Sequence, residues 1–260
     1  MDKNTVIPRP GLAWPVLLIC LLMLQGLGQA QSARVLRVGI YDNPPKLFSD
    51  PADGTPKGIF PGIVSQIASL EGWTIQFVPV SFKQGLEALR NGSLDIMQDV
   101  AWSEERSKIY AFTSETVMVS WGRVYRQKGH TVNTLIDLKD KRIAVMDGGI
   151  YGQGPDGLKP LLEKFELQAR FIPVKNYRQV FQALEEDRAD VGVVNRLYGK
   201  LNKGDYPIEN TPILISPISI RFALSRANPD TPELARILDT HLARMKQDST
   251  SVYYTLIDEY

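Results

Sequence analysis

Two stretches of this chain repeat one another, and the repeat narrows the folds open to it. Residues 77–80 read FVPV and residues 171–174 read FIPV. The first is followed by SFKQGLEALRNGSLDIM, ending at Met97, and the second by KNYRQVFQALEEDRADVGVV, ending at Val194. Each time a strand leads through an apolar-striped helix, a short polar turn and an aspartate into another strand. Alternation of this kind builds an α/β fold in which each half is a mostly parallel sheet flanked by helices. Two lobes of similar build are expected, with the cleft between them as the natural place for a ligand.

The remaining punctuation fits that plan. Val35 to Tyr41 alternates as a first strand, and Asn43-Pro44-Pro45 breaks it. Ile63, Ile67 and Leu70 set a helix over 62–71 that Gly72 closes. A strand is expected at 75–80 and a helix at 82–90, stopped by Asn91-Gly92. Residues 138–146, with the charged turn Lys139-Asp140-Lys141, add a strand. The Gly- and Pro-rich stretch 151–160 reads as a loop, with a helix only over 161–165. Near the end Thr231 caps a helix, Pro232 is its first residue, and Leu234, Ile237, Leu238, Leu242 and Met245 form a core-facing stripe. Lobe 1 is expected over 34–123 plus 215–260, and lobe 2 over 124–214.

A net charge of +1 in 260 residues supplies no broad field for nucleic acid or an anionic membrane, so recognition must be local. At the N-terminus, Lys3 and Arg9 precede an apolar run from Leu12 to Leu24, and Gly28-Gln29-Ala30 follows as a cleavage site. Residues 1–30 therefore read as a secretory signal peptide; Pro15 and the run's short length argue against a membrane span. Cys20, the single cysteine, falls inside it, and Ile19 before it argues against lipid attachment. A mature chain without thiols points to a bacterial periplasm or cell surface. His130 and His241 lack an HExxH or a cysteine partner, and no GxSxG or GxxxxGKS occurs. Gly152-x-Gly154 is too sparse for a dinucleotide fingerprint. Neither an enzyme nor a resident metal or cofactor is expected.

The candidate site lies in LDIMQDVAWSEERSKIYAFT, from Leu94. Ser103 can cap a helix, and Glu104 and Glu105 suit its positive end. Arg106, in the same turn, opposes the dipole. A guanidinium just beyond a strand's carboxyl end is a natural carboxylate clamp. The plainer alternative is a surface ion pair with Glu104, Glu105 or Asp99, worth ~0–1 kcal/mol. Asp99 either binds an ammonium group or neutralises Arg106, and Trp102 either covers an apolar ligand or packs in the core. Tyr41 and Phe48 carry the same pair of readings. Trp121 lies where the chain crosses between lobes and either lines the cleft or packs the hinge.

VLRVGIYDNPP from Val35, the Gly58 turn, GLEALRNGSLDI from Gly85, SEERSKIYAFT from Ser103 and DLKDKRIAV from Asp137 together resemble the family 3 extracellular solute-binding proteins, of the periplasmic binding protein type II class. The resemblance spans residues 34–260. DVAWSEER from Asp99, VSWGRVY from Val119, VVNRLYG from Val193 and SVYYTLIDEY from Ser251 are more similar to the periplasmic sensor domains of membrane-bound histidine kinases. In those a membrane helix follows the domain; the chain stops at Tyr260, which fits either a longer parent protein or a free-standing relative.

The resemblance implies a Venus-flytrap fold, an arginine at Arg106 that binds a ligand carboxylate, and an aspartate in lobe 2 that binds its amine. Asn195 stands at that second position here. Gln98, Asp99 and Ala101 replace the usual serine and threonine contacts, and Gly62 replaces an aspartate. Gly148-Gly149 matches a helix start that offers amides to an anion, or is a plain loop. The implied role is sensing of a small amino-acid-like or carboxylate-bearing molecule by cleft closure, the partner being a sensor kinase module. The alternatives are a receptor for an ABC transporter permease and a periplasmic dehydratase on the same fold.

Overall fold

The protein is described by a computed structural model covering residues 34–260; the expected signal peptide and Cys20 lie outside the described residues. Strand β1 (Val35–Ile40) forms where Leu36, Val38 and Ile40 are buried. A short hairpin, β2 (Phe48–Ser49) and β3 (Pro56–Lys57), leads into helix α1 (Ile59–Glu71). Then follow β4 (Thr74–Pro79), α2 (Phe82–Arg90), β5 (Ile96–Ala101), α3 (Glu104–Ile109), β6 (Ala111–Phe112) and β7 (Met118–Gln127). The second repeat comprises β8 (Arg142–Met146), α4 (Ile150–Gln153), α5 (Leu158–Lys164), β9 (Arg170–Val174), α6 (Tyr177–Glu185), β10 (Val191–Asn195) and α7 (Arg196–Asn202). The long strand β11 (Ile208–Leu224) returns the chain, and α8 (Thr231–Gln247) and α9 (Val252–Glu259) complete it.

The main sheet runs β4-β1-β5-β11-β7-β10-β8-β9, with β6 also on β11. The two parallel triplets, β4-β1-β5 and β9-β8-β10, are the sequence repeat seen in space. Rather than two separate sheets, one continuous sheet results, because β11 and β7 pair antiparallel between the triplets. Their register shifts at Asn210/Leu214 and at Ile215/Ile218, where the strands pass from one half to the other.

Each triplet carries the same internal clasp. The Arg37 backbone N–H, Nε and Nη2 donate to Asp95 at 2.8, 3.0 and 2.9 Å; Arg142 does the same to Asp190 at 2.6, 3.2 and 2.8 Å. Burial pushes the Asp95 carboxyl up, but the Arg37 side chain and amide outweigh it and hold it below its ordinary value. A carboxylate depressed in the folded state adds stability above its unfolded value of ~3.9, and that stability is lost as pH falls through the lower folded value. Asp95→Asn should therefore cost about 1–3 kcal/mol at pH 7. In urea titrations the gap from wild type should narrow below pH 4.

Local chemistry sets most boundaries. Ser81 caps α2 in a capping box with Gln84, and Asn176 caps α6 through the Gln179 amide. The α8 stripe is core as expected, with Leu234, Leu238, Leu242 and Met245 buried. Its cap is Asp230 rather than Thr231, so Pro232 sits second. Helix α5 starts at Leu158 instead of 161, and the expected loop holds the extra turn α4: its glycines permit close packing rather than preventing helix. Gly62 lets α1 touch α9, for a Cβ there would lie 2.6 Å from Leu256.

Candidate functional site

The carboxyl ends of β1, β5, β8 and β10 converge, as ligand-binding α/β sheets arrange them. After β1 the chain makes a tight turn, with the Asn43 amide on the Leu47 carbonyl at 2.9 Å and the Lys46 amide on that of Asn43 at 3.0 Å. The first amides of α1 hold the turn from behind, Phe60 N–H donating to the Lys46 carbonyl at 2.9 Å. Gly58, at φ 111°, is required there, since a Cβ would come within 2.6 Å of the Lys46 oxygen. This backing turns the Lys46 side chain inward.

Asp99 receives it. The residue is buried with φ at 50°, a left-handed conformation that aspartate tolerates better than most side chains. One carboxylate oxygen accepts from Lys46 Nζ; the other accepts from Tyr41 Oη at 2.7 Å and Asn43 Nδ2 at 2.6 Å. Burial pulls the Lys46 ammonium below its ordinary value against the upward pull of Asp99. Burial, and then the Asp99 charge, holds the Tyr41 hydroxyl well above its own. From the other half, Asn195 Nδ2 donates to Asn43 Oδ1 at 2.8 Å. The Asn195 side-chain oxygen caps α7 through the amides of Leu197 and Tyr198 at 3.1 and 3.0 Å.

Arg106 behaves differently. Ser103 caps α3 as the sequence implies, its Oγ accepting from the Arg106 amide at 3.3 Å. The half-buried guanidinium donates to two carbonyls, Nη1 to Ala101 at 2.9 Å and Nη2 to Gly148 at 2.8 Å. It also lies 5.6 Å above the Phe82 ring. Among the described residues no carboxylate pairs with it: Glu104 pairs with Lys108 at 3.2 Å, and Asp99 with Lys46. Burial lowers the guanidinium's hold on its proton.

These groups border a small cavity of about 20 Å³, lined by Tyr41, Lys46, Phe82, Asp99, Arg106 and Tyr151 among others. Tyr151 Oη is buried there near Ser120 but outside hydrogen-bond geometry. The two halves also meet at Lys83–Asp147 (3.0 Å) and Arg178–Asp42 (3.2 Å), exposed pairs worth ~0–1 kcal/mol each. A larger groove, about 540 Å³, runs past Trp102, Glu104, Glu105 and Asp156. Its charged lining is acidic, whereas the convergent polar groups belong to the small cavity.

Of the residues singled out in the sequence, Tyr41, Asp99 and Arg106 line the cavity. Asn195 and Gly148 bond to it from the opposite half. Gly148 contributes its carbonyl as an acceptor for Arg106, and Gly149, whose amide is bound to Met146 O at 2.9 Å, stands at the start of α4. Phe48 lies elsewhere, against Tyr260 at 6.2 Å. Trp102 lines the outer groove, 5.5 Å from the Arg221 guanidinium. Trp121 lies under Arg196 at 4.5 Å, in a separate surface depression. Lys46, Asn43, Tyr151 and Tyr177 escaped sequence reasoning; the only local signal for Lys46 is its place between Pro45 and the apolar Leu47. Among the described residues no cluster of His, Cys, Asp or Glu could hold a metal, and no helix is long and apolar enough to cross a membrane.

The fold is shared widely among solved structures. An ancestral arginine-binding protein bound to arginine is 24% identical with a TM-score of 0.73, covering 87% of this chain and 97% of its own. An ancestral amino acid-binding protein, a precursor of cyclohexadienyl dehydratase, is 23% identical with a TM-score of 0.73, covering 94% and 99%. A histidine kinase sensor domain with similarity to periplasmic binding proteins is 20% identical with a TM-score of 0.70, covering 88% and 96%. No curated protein matches the sequence significantly. The model of one family matches residues 36–255, and with that span the chain belongs to the bacterial extracellular solute-binding proteins, family 3.

Proposed function

We propose that residues 34–123 with 215–260, and residues 124–214, act as two lobes that part to admit a small carboxylate-bearing molecule and close on it. Arg106 clamps the carboxylate, and the contacts of Asn195 and Gly148 across the halves form as the lobes meet. One observation carries this reading: a half-buried guanidinium reaches into the cavity and finds only carbonyl oxygens. A fork of donors in a poorly solvated place has most to gain from a carboxylate. Closure converts that affinity into a change of shape, because a ligand shifts an equilibrium only by its preference for one form.

Ligand sensing in the periplasm, with the shape change passed to a membrane-bound kinase module, is the use we infer. The N-terminal leader read from the sequence and the shared fold of a histidine kinase sensor domain support it; delivery to an ABC permease would use the same cleft. A dehydratase would need a free acid or base against its substrate; the carboxylate lining this cavity, Asp99, is ion-paired, which leaves the Tyr151 hydroxyl as the acid that reading would use.

A thermal-shift panel of small carboxylates and their matching amines tests the reading. At a hundred times Kd a ligand of the folded state adds about 2.7 kcal/mol, or roughly 5–10 °C in Tm for a chain of this size. We expect such rises from carboxylates and none from amines lacking the carboxyl group. Rises from the amines alone contradict the clamp.

A further inference from the structure

We propose that Lys46 is a built-in counter-ion that turns the cleft away from amino acids and toward monocarboxylates lacking an α-ammonium group, such as 2-oxo and 2-hydroxy acids. The inference rests on the carboxylate reading of Arg106 and names the ligand class that would occupy that site.

An α-amino acid needs an anion for its ammonium as well as a cation for its carboxylate. Asp99 is the carboxylate that lines the cavity, and both its oxygens are occupied: one by Lys46, the other by Tyr41 and Asn43. Asn195 offers no substitute, since its oxygen already accepts two backbone amides of α7 and its amide donates to Asn43. The buried Lys46 ammonium thus stands where a ligand's ammonium would seek its partner.

Charge balance points the same way. Lys46 and Arg106 bring two positive charges to the lining and Asp99 one negative, leaving one cation to be matched. A monoanion matches it. A zwitterion leaves it unmatched and adds a desolvated ammonium near Lys46 and Arg106, a juxtaposition that is costly where water is scarce. Arg196, close enough to depress the Lys46 ammonium further, raises that cost. The Lys46 position is not accidental: its backbone is pinned by α1, and Gly58 keeps the space that allows it.

The test compares matched pairs by thermal shift and calorimetry on the full mature chain: phenylpyruvate and 3-phenyllactate with L-phenylalanine, 4-methyl-2-oxopentanoate with L-leucine, and pyruvate with L-alanine. Wild type should bind the oxo or hydroxy acid at least about tenfold more tightly than its amino acid in any pair that binds. Lys46→Met, which frees Asp99, should shift that ratio at least about tenfold toward the amino acid. Should that variant not fold, Lys46→Gln, which removes the cation but keeps a neutral donor for Asp99, should shift the ratio the same way. An amino acid bound by wild type as tightly as its oxo acid overturns this inference and leaves the Arg106 clamp standing, as does a ratio that the Lys46 variants leave unchanged. Failure of every carboxylate to bind overturns the clamp, and this inference with it.

Discussion

Asp99→Ala should destabilise the protein by about 3–5 kcal/mol, the cost of leaving one partner of a buried ion pair alone. For a chain of this size that is a fall in Tm of roughly 6–20 °C. The reason lies in what stays behind. Lys46 is 3% exposed, so its ammonium cannot reach water without opening the turn that α1 holds, and Tyr41 and Asn43 lose their acceptor too. With Asp99 gone, burial and then the Arg196 charge both act downward on Lys46, holding its folded-state value below the unfolded one. The unfolded state then binds more protons, so the variant's deficit should shrink as pH rises toward the ordinary lysine value of ~10.4. Replacing both members, as Lys46→Met with Asp99→Leu, should recover most of the loss, since apolar replacement of a whole buried pair is often neutral. Chemical denaturation of Asp99→Ala, of Asp99→Leu and Lys46→Met singly, and of the double variant checks all three statements; strict additivity of the Leu and Met changes would mean that the pair is not coupled.

Arg106→Ala should have the opposite profile. Affinity for a carboxylate should fall by about 2–5 kcal/mol, roughly 30- to 5,000-fold in Kd, the usual loss on truncating one side of a desolvated hydrogen-bonded charge pair. Stability without ligand should move by no more than about 1 kcal/mol. The variant loses the bonds to Ala101 and Gly148, but it also sheds a half-buried cation with no carboxylate partner among the described residues. Arg106→Lys should fall between, because a point charge cannot grip two oxygens in the plane of a fork. Calorimetric titration beside thermal melts separates the two effects. A large loss of stability with unchanged affinity would make Arg106 a structural residue.

The pattern of the chain anticipates its architecture well, and for a physical reason. Strand and helix periods are local properties, so the FVPV and FIPV repeats already imply two parallel triplets, and the aspartate in each repeat marks Asp95 and Asp190, the anchors of the Arg37 and Arg142 clasps. The Ser103 cap and the place of Arg106 at a strand end were legible for the same reason. Contacts between distant segments were not. Lys46 and Asp99 meet only because β1 and β5 are neighbours and α1 pins the intervening turn, and a lysine after two prolines otherwise reads as solvated loop. Asn195 has the outward look of a weakened ligand contact, yet its first duty is to cap α7. Phe48, Trp102 and Trp121 are aromatic near the right places in sequence, but residue type does not say which face of a loop they take.

A crystal structure of the mature chain with the carboxylate that most raises its Tm tests the account most directly. The account places both carboxylate oxygens about 3 Å from the Arg106 guanidinium, with Asn195 and Gly148 closed over the ligand from the opposite half. A carboxylate seated in the outer groove beside Trp102, with Arg106 still on its two carbonyls, would contradict it.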